Sequence, residues 1–234
     1  MTSVAPLRIL CLHGYMQNGQ VLRRKTGVLR KKVKDIAELV FVTAPFDVPM
    51  PTDITEEERA RLQRLYDSEG GELHPYAWWF AKGTPARYEG FEEAMRQIRS
   101  VLAEQGPFDG VLGFSQGAVF ASLLASIYSR PDEPLRLDSR HPAFRFAILI
   151  SGFPSRCPSH SYLYERPIQC PSLHMIGLGD TVVLPEGSEK LANTFENPTV
   201  YRHDGGHVIP TNAAGRNTLF EYIQQFHPQS NLHI

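Results

Sequence analysis

Cysteine is scarce in this 234-residue chain, with Cys11, Cys157 and Cys170 as the full set. The count is odd and no pair has metal-ligand spacing, so neither a disulfide framework nor a metal site is expected. That usage fits a reducing compartment, the cytoplasm. Neither sign of charge is in excess: 24 Lys and Arg face 25 Asp and Glu, a net charge of −1. No global field therefore selects nucleic acid or a membrane surface. Long hydrophobic runs are missing too. No stretch reaches the roughly 20 apolar residues of a bilayer-crossing helix, and Leu7–Leu12 is too short for the core of a signal peptide. There is no G-x-G-x-x-G after a strand and no phosphate-loop lysine, which removes the nucleotide cofactors. Aromatic residues interleaved with a basic patch, the mark of a nucleic-acid partner, are also absent. Repeats and low-complexity segments are not found.

One basic run needs an account: Arg23, Arg24, Lys25, Arg30, Lys31, Lys32 and Lys34. Leu22, Thr26, Leu29, Val33 and Ile36 recur between them at alternating spacings of four and three, which predicts one helix with its charges on the outer faces.

Six short runs rich in Leu, Ile, Val or Phe read as buried strands: Leu7–Leu12, Glu38–Thr43, Gly110–Gly113, Phe146–Ser151, Ser172–Gly177 and Thr199–Arg202. Helical patterns lie between them, the clearest being Phe91, Ala94, Met95, Ile98, Val101 and Leu102, ended by Gly106-Pro107. Nearly continuous apolar strands alternating with helices predict an α/β fold, a six-stranded parallel sheet with helices on both faces. Right-handed crossovers and a switch point between the first and third strands give the spatial order 2-1-3-4-5-6. The length suits a single domain, 1–234. Two stretches break the alternation and are expected to act as lid-like insertions: 44–84, with a short helix around Glu56–Tyr66 and the aromatic cluster Tyr76, Trp78, Trp79 and Phe80, and 152–171, with Phe153, Tyr162 and Tyr164.

The most informative segment is Gly113-Phe114-Ser115-Gln116-Gly117. It has the form G-x-S-x-G, with a short apolar strand before it and an apolar helix, Ala118 to Tyr128, after it. Strand, sharp turn and helix are the setting of a nucleophile elbow, in which the glycines remove side chains that would collide. A serine hydroxyl attacks only when a base takes its proton, and the base must be held by an acid. In elbow hydrolases the acid and then the histidine follow the serine. Asp180 lies just past the fifth strand and His207 just past the sixth, both at the carboxyl edge where Ser115 emerges. His203 and Asp204 are the rivals. His207 is preferred because Gly205-Gly206 frees its loop to bend back, and Asp180 because it can approach the imidazole from the side.

A tetrahedral intermediate needs donors for its oxyanion. The backbone N–H of Gln116 is one. The N–H of Tyr15, in the loop His13-Gly14-Tyr15-Met16-Gln17-Asn18-Gly19, is the expected second, and His13 reads as a packing or supporting residue. The acyl pocket is expected to draw on Trp79, Phe153, Tyr164, Val183 and Ile209, apolar side chains from segments that converge on this edge.

The motifs Leu12-His13-Gly14-Tyr15-Met16-Gln17-Asn18-Gly19, Gly110 to Ala118, Ile150-Ser151-Gly152-Phe153 and Gly205-Gly206-His207-Val208-Ile209-Pro210 stand in order along nearly the whole chain. Together they resemble the FSH family of serine hydrolases. The resemblance implies a compact α/β-hydrolase fold and carboxylesterase or thioesterase activity on acyl chains, with a triad falling on Ser115, Asp180 and His207. The expected enzyme cleaves medium-to-long acyl esters through an acyl-enzyme and needs no cofactor. Its partner is a small-molecule acyl ester or thioester. A thioesterase on the same triad, or a catalytically silent acyl-binding protein, are the competing readings.

Overall fold

The structure is a computed structural model that describes residues 5–49, 54–58, 60, 75–136 and 141–228. Its centre is a six-stranded sheet: β1 (Leu7–Leu12), β2 (Ala37–Val42), β3 (Gly110–Phe114), β4 (Phe146–Ile150), β5 (Ser172–Gly177) and β6 (Thr199–His203). Every pairing within it is parallel. The spatial order is β2-β1-β3-β4-β5-β6, as the alternation of strands and helices predicts.

Alternation along each strand divides the core into two layers. Leu10 and Leu12 of β1 and Val111 of β3 point to one face, where α3 (Phe91–Gln105), α4 (Gln116–Tyr128) and α5 (Pro185–Ala192) pack. Ile9, Cys11, Leu112 and Phe114 point to the other, under α1 (Gly19–Lys25), α2 (Gly27–Val33) and α6 (Ala213–Gln224). The helix α3 is amphipathic, with Phe91, Ala94, Met95, Ile98, Val101 and Leu102 all buried. By contrast α4 is buried at every one of its 13 positions. Its Ala118, Ala121, Ser122, Ala125 and Ser126 leave room for such close packing, and Ser126 Oγ donates to the Leu163 carbonyl at 2.8 Å. A helix apolar on all sides belongs inside the molecule.

The basic segment departs from the single helix that its spacing predicts. The chain forms two short helices that break at Thr26. There the hydroxyl donates to the Leu22 carbonyl at 2.8 Å, and Gly27 follows. Side-chain bonding back to the preceding turn, followed by a residue with little helix propensity, is enough to interrupt so short a helix.

The first insertion and the residues just after it form two small antiparallel ribbons, Phe46–Asp47 with Tyr76–Ala77 and Phe80–Lys82 with Arg87–Glu89. Of the helix expected around 56–66, residues 56–58 and 60 are helical and the remainder lies outside the described residues. The second insertion winds a 3-10 helix, Pro158–Tyr164, against α4. Among the described residues no helix is long and apolar enough to cross a membrane.

Candidate active site

Ser115 sits between β3 and α4 with φ 54° and ψ −119°. A positive φ is strained for any residue with a side chain, and such strain persists only where the surroundings enforce it. Here the enforcement is visible. The Ser115 N–H donates to the Ile150 carbonyl at 2.9 Å, and its own carbonyl accepts from Ala118 and Val119. A Cβ on Gly113 would lie 2.2 Å from the Gly117 carbonyl oxygen, and one on Gly117 2.1 Å from that of Leu12. No side chain fits at either place, so β1, β3 and α4 can meet only through these glycines.

His207 arrives on the loop after β6. Its Nε2 lies 3.0 Å from Ser115 Oγ, and its Nδ1 lies 2.7 Å from Asp180 Oδ2. The other carboxylate oxygen, Oδ1, accepts the backbone N–H groups of Val182 at 2.9 Å and Val183 at 2.8 Å. Burial on its own would raise the Asp180 carboxyl, but the hydrogen bonds from His207, Val183 and Val182 outweigh it and hold the group below the usual carboxylate range. An ionised Asp180 can only accept, so Nδ1 carries the imidazole proton. Nε2 is then left with a lone pair facing the serine hydroxyl. The Phe114 ring, with its centroid 4.9 Å from that of His207, supports the imidazole from one side.

The two loops that carry acid and base are tied together. Leu178 N–H donates to the His203 carbonyl at 2.8 Å and Gly179 N–H to the Gly205 carbonyl at 3.1 Å. The rivals fall elsewhere. Asp204 is exposed. His203 is buried, and its Nδ1 accepts from the Gly205 N–H at 3.1 Å.

The loop after β1 approaches the serine closely, since a Cβ on Gly14 would lie 3.2 Å from Ser115 Cβ. This loop is held at each turn. His13 Nε2 accepts from the Ala44 N–H at 2.9 Å, which makes Nδ1 the protonated nitrogen, and Nδ1 lies 2.7 Å from the Gly14 carbonyl oxygen. Burial pushes the His13 pKa down to about 4, against a smaller opposing effect of the Gly14 carbonyl, so the ring is neutral, as that pattern requires. Gln17 ties the other end, its carbonyl accepting the Tyr76 N–H at 2.7 Å. Among the described residues no acceptor takes the Tyr15 N–H. Gln116 is the first residue of α4, where N–H groups have no intrahelical partner. Tyr15 and Gln116 both border the space in front of Ser115.

Residue 116 has a second part that the sequence did not reveal. Its side-chain Oε1 accepts the Trp78 N–H at 3.0 Å and its Nε2 donates to the Trp79 carbonyl at 2.8 Å. The amide thus clamps the tryptophan pair to the elbow. Trp78 Nε1 adds a bond to the His13 carbonyl at 2.9 Å.

A cavity of about 460 Å³ opens in front of Ser115. Trp79, Phe153 and Val183 line it, as expected, and Phe80, Tyr88 and Val182 add apolar wall that sequence reasoning did not name. Trp79 forms the floor, with its ring stacked on Tyr88 at a centroid distance of 4.8 Å. The other two expected wall residues are not among its lining. Tyr164 is turned inward, its hydroxyl 3.2 Å from Ser122 Oγ and accepting the Ser155 N–H at 3.1 Å, so it braces the loop behind the wall. Ile209 belongs to the core layer on the opposite face of the sheet, together with Phe114 and Leu219.

The parallel sheet in this order, with a strained serine at a strand–helix turn, defines an α/β-hydrolase. The family model for serine hydrolases of the FSH1 type matches residues 1–219, and the chain belongs to that family. Esterase OVCA2 of Danio rerio is 40% identical over 234 residues, covering 96% of this chain and 99% of that protein. Esterase OVCA2 of Homo sapiens is 36% identical over 239 residues, covering 97% and 99%. Among solved structures, Zea mays acyl-protein thioesterase 2 superposes with a TM-score of 0.66 at 19% identity, over 96% of this chain and 95% of that one, which is a likeness of fold.

Proposed function

We propose that this serine hydrolase cleaves carboxylic esters of medium-to-long acyl chains through an acyl-enzyme on Ser115. One observation carries the reading: the hydrogen-bonded series Ser115–His207–Asp180 opens into a mainly apolar cavity. In this mechanism Ser115 Oγ attacks the ester carbonyl carbon as His207 Nε2 takes the hydroxyl proton. The N–H groups of Tyr15 and Gln116 receive the oxyanion. His207 returns the proton to the departing alcohol, leaving the acyl group on Ser115. Water, deprotonated by His207 in turn, releases the acid and restores the serine. Asp180 fixes the imidazole tautomer and stabilises its cation. No cofactor takes part.

A thioester is the second substrate class. The same attack applies, and a thiolate departs with less need of protonation than an alkoxide. Fatty chains suit the walls formed by Trp79, Phe153 and Val183, since each buried methylene is worth about 0.8 kcal/mol. The reading treats 1–234 as one domain whose insertions supply the walls. It places the protein in the cytoplasm, supported by three thiols that are all buried and unpaired.

The test is a chain-length series of p-nitrophenyl esters run beside the matching acyl-CoA thioesters, with a fluorophosphonate probe in parallel. Specificity constants that rise from acetate to octanoate support the proposal. A steady fall from acetate to decanoate overturns the chain-length part. Failure of the probe to label Ser115 would make the protein an acyl-binding one.

A further inference from the structure

The cavity in front of Ser115 has no acidic residue in its lining, but it has two basic ones, Lys82 and Arg156. They differ in what they meet. Lys82 Nζ pairs with Glu89 Oε2 across its ribbon at 2.7 Å, so its charge is answered within the protein. Among the described residues no carboxylate pairs with Arg156. Its guanidinium carbon stands 4.6 Å from the centroid of the Phe153 ring. Its backbone is fixed from the other wall, the Arg156 N–H donating to the Tyr88 hydroxyl at 2.8 Å.

A guanidinium laid over an aromatic face is weakly hydrated there and keeps its N–H groups free at the edges. Those edges form the planar fork that suits a carboxylate or phosphate. Phe153 is itself partly buried and packs against the core cluster that contains α3 and α4. A cation of this kind in the lining of a mainly apolar cavity has a poor partner in a plain fatty ester.

We infer that the physiological substrate carries an anionic group away from the scissile carbonyl, and that Arg156 selects for it. The inference rests on the esterase reading of Ser115 and narrows its substrate class to acyl compounds with a carboxylate or phosphate. That anion has two sources. It stands either at the far end of the acyl chain or on the leaving group, and the shared chemistry is the same forked contact.

The experiment compares anionic and neutral substrates of equal acyl length as a ratio of kcat/KM within each variant. One pair places a carboxylate at the end of the acyl chain: the mono-p-nitrophenyl ester of suberic acid against p-nitrophenyl octanoate. The other places phosphates on the leaving group: octanoyl-CoA against the octanoyl thioester of N-acetylcysteamine. At low ionic strength the anionic member of one pair should be favoured by wild type. That ratio should fall about 3- to 10-fold in Arg156→Gln and further in Arg156→Glu, and recover in part in Arg156→Lys. It should also shrink as salt is raised. Arg96→Gln, on the exposed face of α3, should leave both ratios unchanged. Whichever pair responds identifies the source of the anion. Ratios that are equal in wild type and Arg156→Glu for both pairs overturn the inference while leaving the esterase reading in place. If wild type turns over none of the four substrates, the esterase reading fails and takes the inference with it.

Discussion

His13 and Gly14 share a hydrogen bond in which the imidazole Nδ1–H donates to the carbonyl of the next residue at 2.7 Å. That carbonyl belongs to the same peptide plane as the Tyr15 N–H. The two groups point in opposite directions across a trans peptide. Fixing the oxygen on His13 therefore turns the N–H away from the imidazole, and the proposed oxyanion donor is aimed by a residue that never touches substrate. His13→Phe should lower kcat by roughly 10- to 100-fold with KM nearly unchanged, because a donor that serves only the oxyanion is lost in the transition state alone. Steady-state kinetics on p-nitrophenyl octanoate decides it; a rise in KM at constant kcat would assign His13 to packing instead.

The proposed triad should behave as a unit. Ser115→Ala and His207→Ala should each remove nearly all turnover, and the double variant should be little worse than either. Asp180→Asn should lose on the order of 10⁴ in kcat by favouring the wrong histidine tautomer. Asp204→Asn, at an exposed site, should stay near wild type. If Asp204→Asn proves the more damaging change, the acid is misassigned.

Gln116 offers a separation of backbone from side chain. Gln116→Ala retains the N–H facing the site but leaves the Trp78 N–H and Trp79 carbonyl without their partner. Each buried polar group left unsatisfied costs about 1–3 kcal/mol. Thermal or urea unfolding should show a loss of roughly 2 kcal/mol or more. Preference for long acyl chains should weaken as the cavity floor loosens. Unchanged stability would mean that water replaces the amide.

Acid should begin to destabilise the fold near pH 6.5, above the ordinary carboxylate range. Burial pushes the pKa of His13 and His160 down to about 4 and that of His174 to about 3. An unfolded histidine protonates near 6.5. Between those values the unfolded chain binds more protons than the native one, so stability is complete above about pH 6.5 and falls as pH drops towards 4. Urea midpoints measured from pH 7.5 to 4.5 should decline over that window. A flat profile would show that these rings are charged in the folded state.

The inner strands β1, β3, β4 and β5 were legible because they are buried on both faces and nearly continuous in apolar residues, and Gly, Pro, Asp or Ser follows each strand of the sheet. Ser115, Asp180 and His207 were legible for a different reason. Each follows a strand at the same edge, and glycines flank the serine and precede the histidine. What escaped depends on approach in space. The break at Thr26 leaves the apolar spacing unaltered, since both short helices keep Leu22, Leu29 and Val33 inward. The Gln116 clamp joins segments 37 and 38 residues apart. Ile209 follows the histidine closely, yet its side chain turns to the far layer of the core. Proximity in sequence to a site places a residue's backbone and leaves the direction of its side chain open.

The complete burial of α4 bears on how the molecule breathes. Its amides can meet solvent only when the whole core opens, so their exchange with deuterium should report global unfolding. The ribbon of Phe80–Lys82 with Arg87–Glu89, which lines the other side of the cavity, is short and lies nearer the surface. It should open and reclose while the elbow stays shut. The serine proposed to attack and the wall proposed to select the acyl chain thus sit on parts of unequal stiffness, and changes in the softer part should retune which chains are accepted without disturbing the proposed triad.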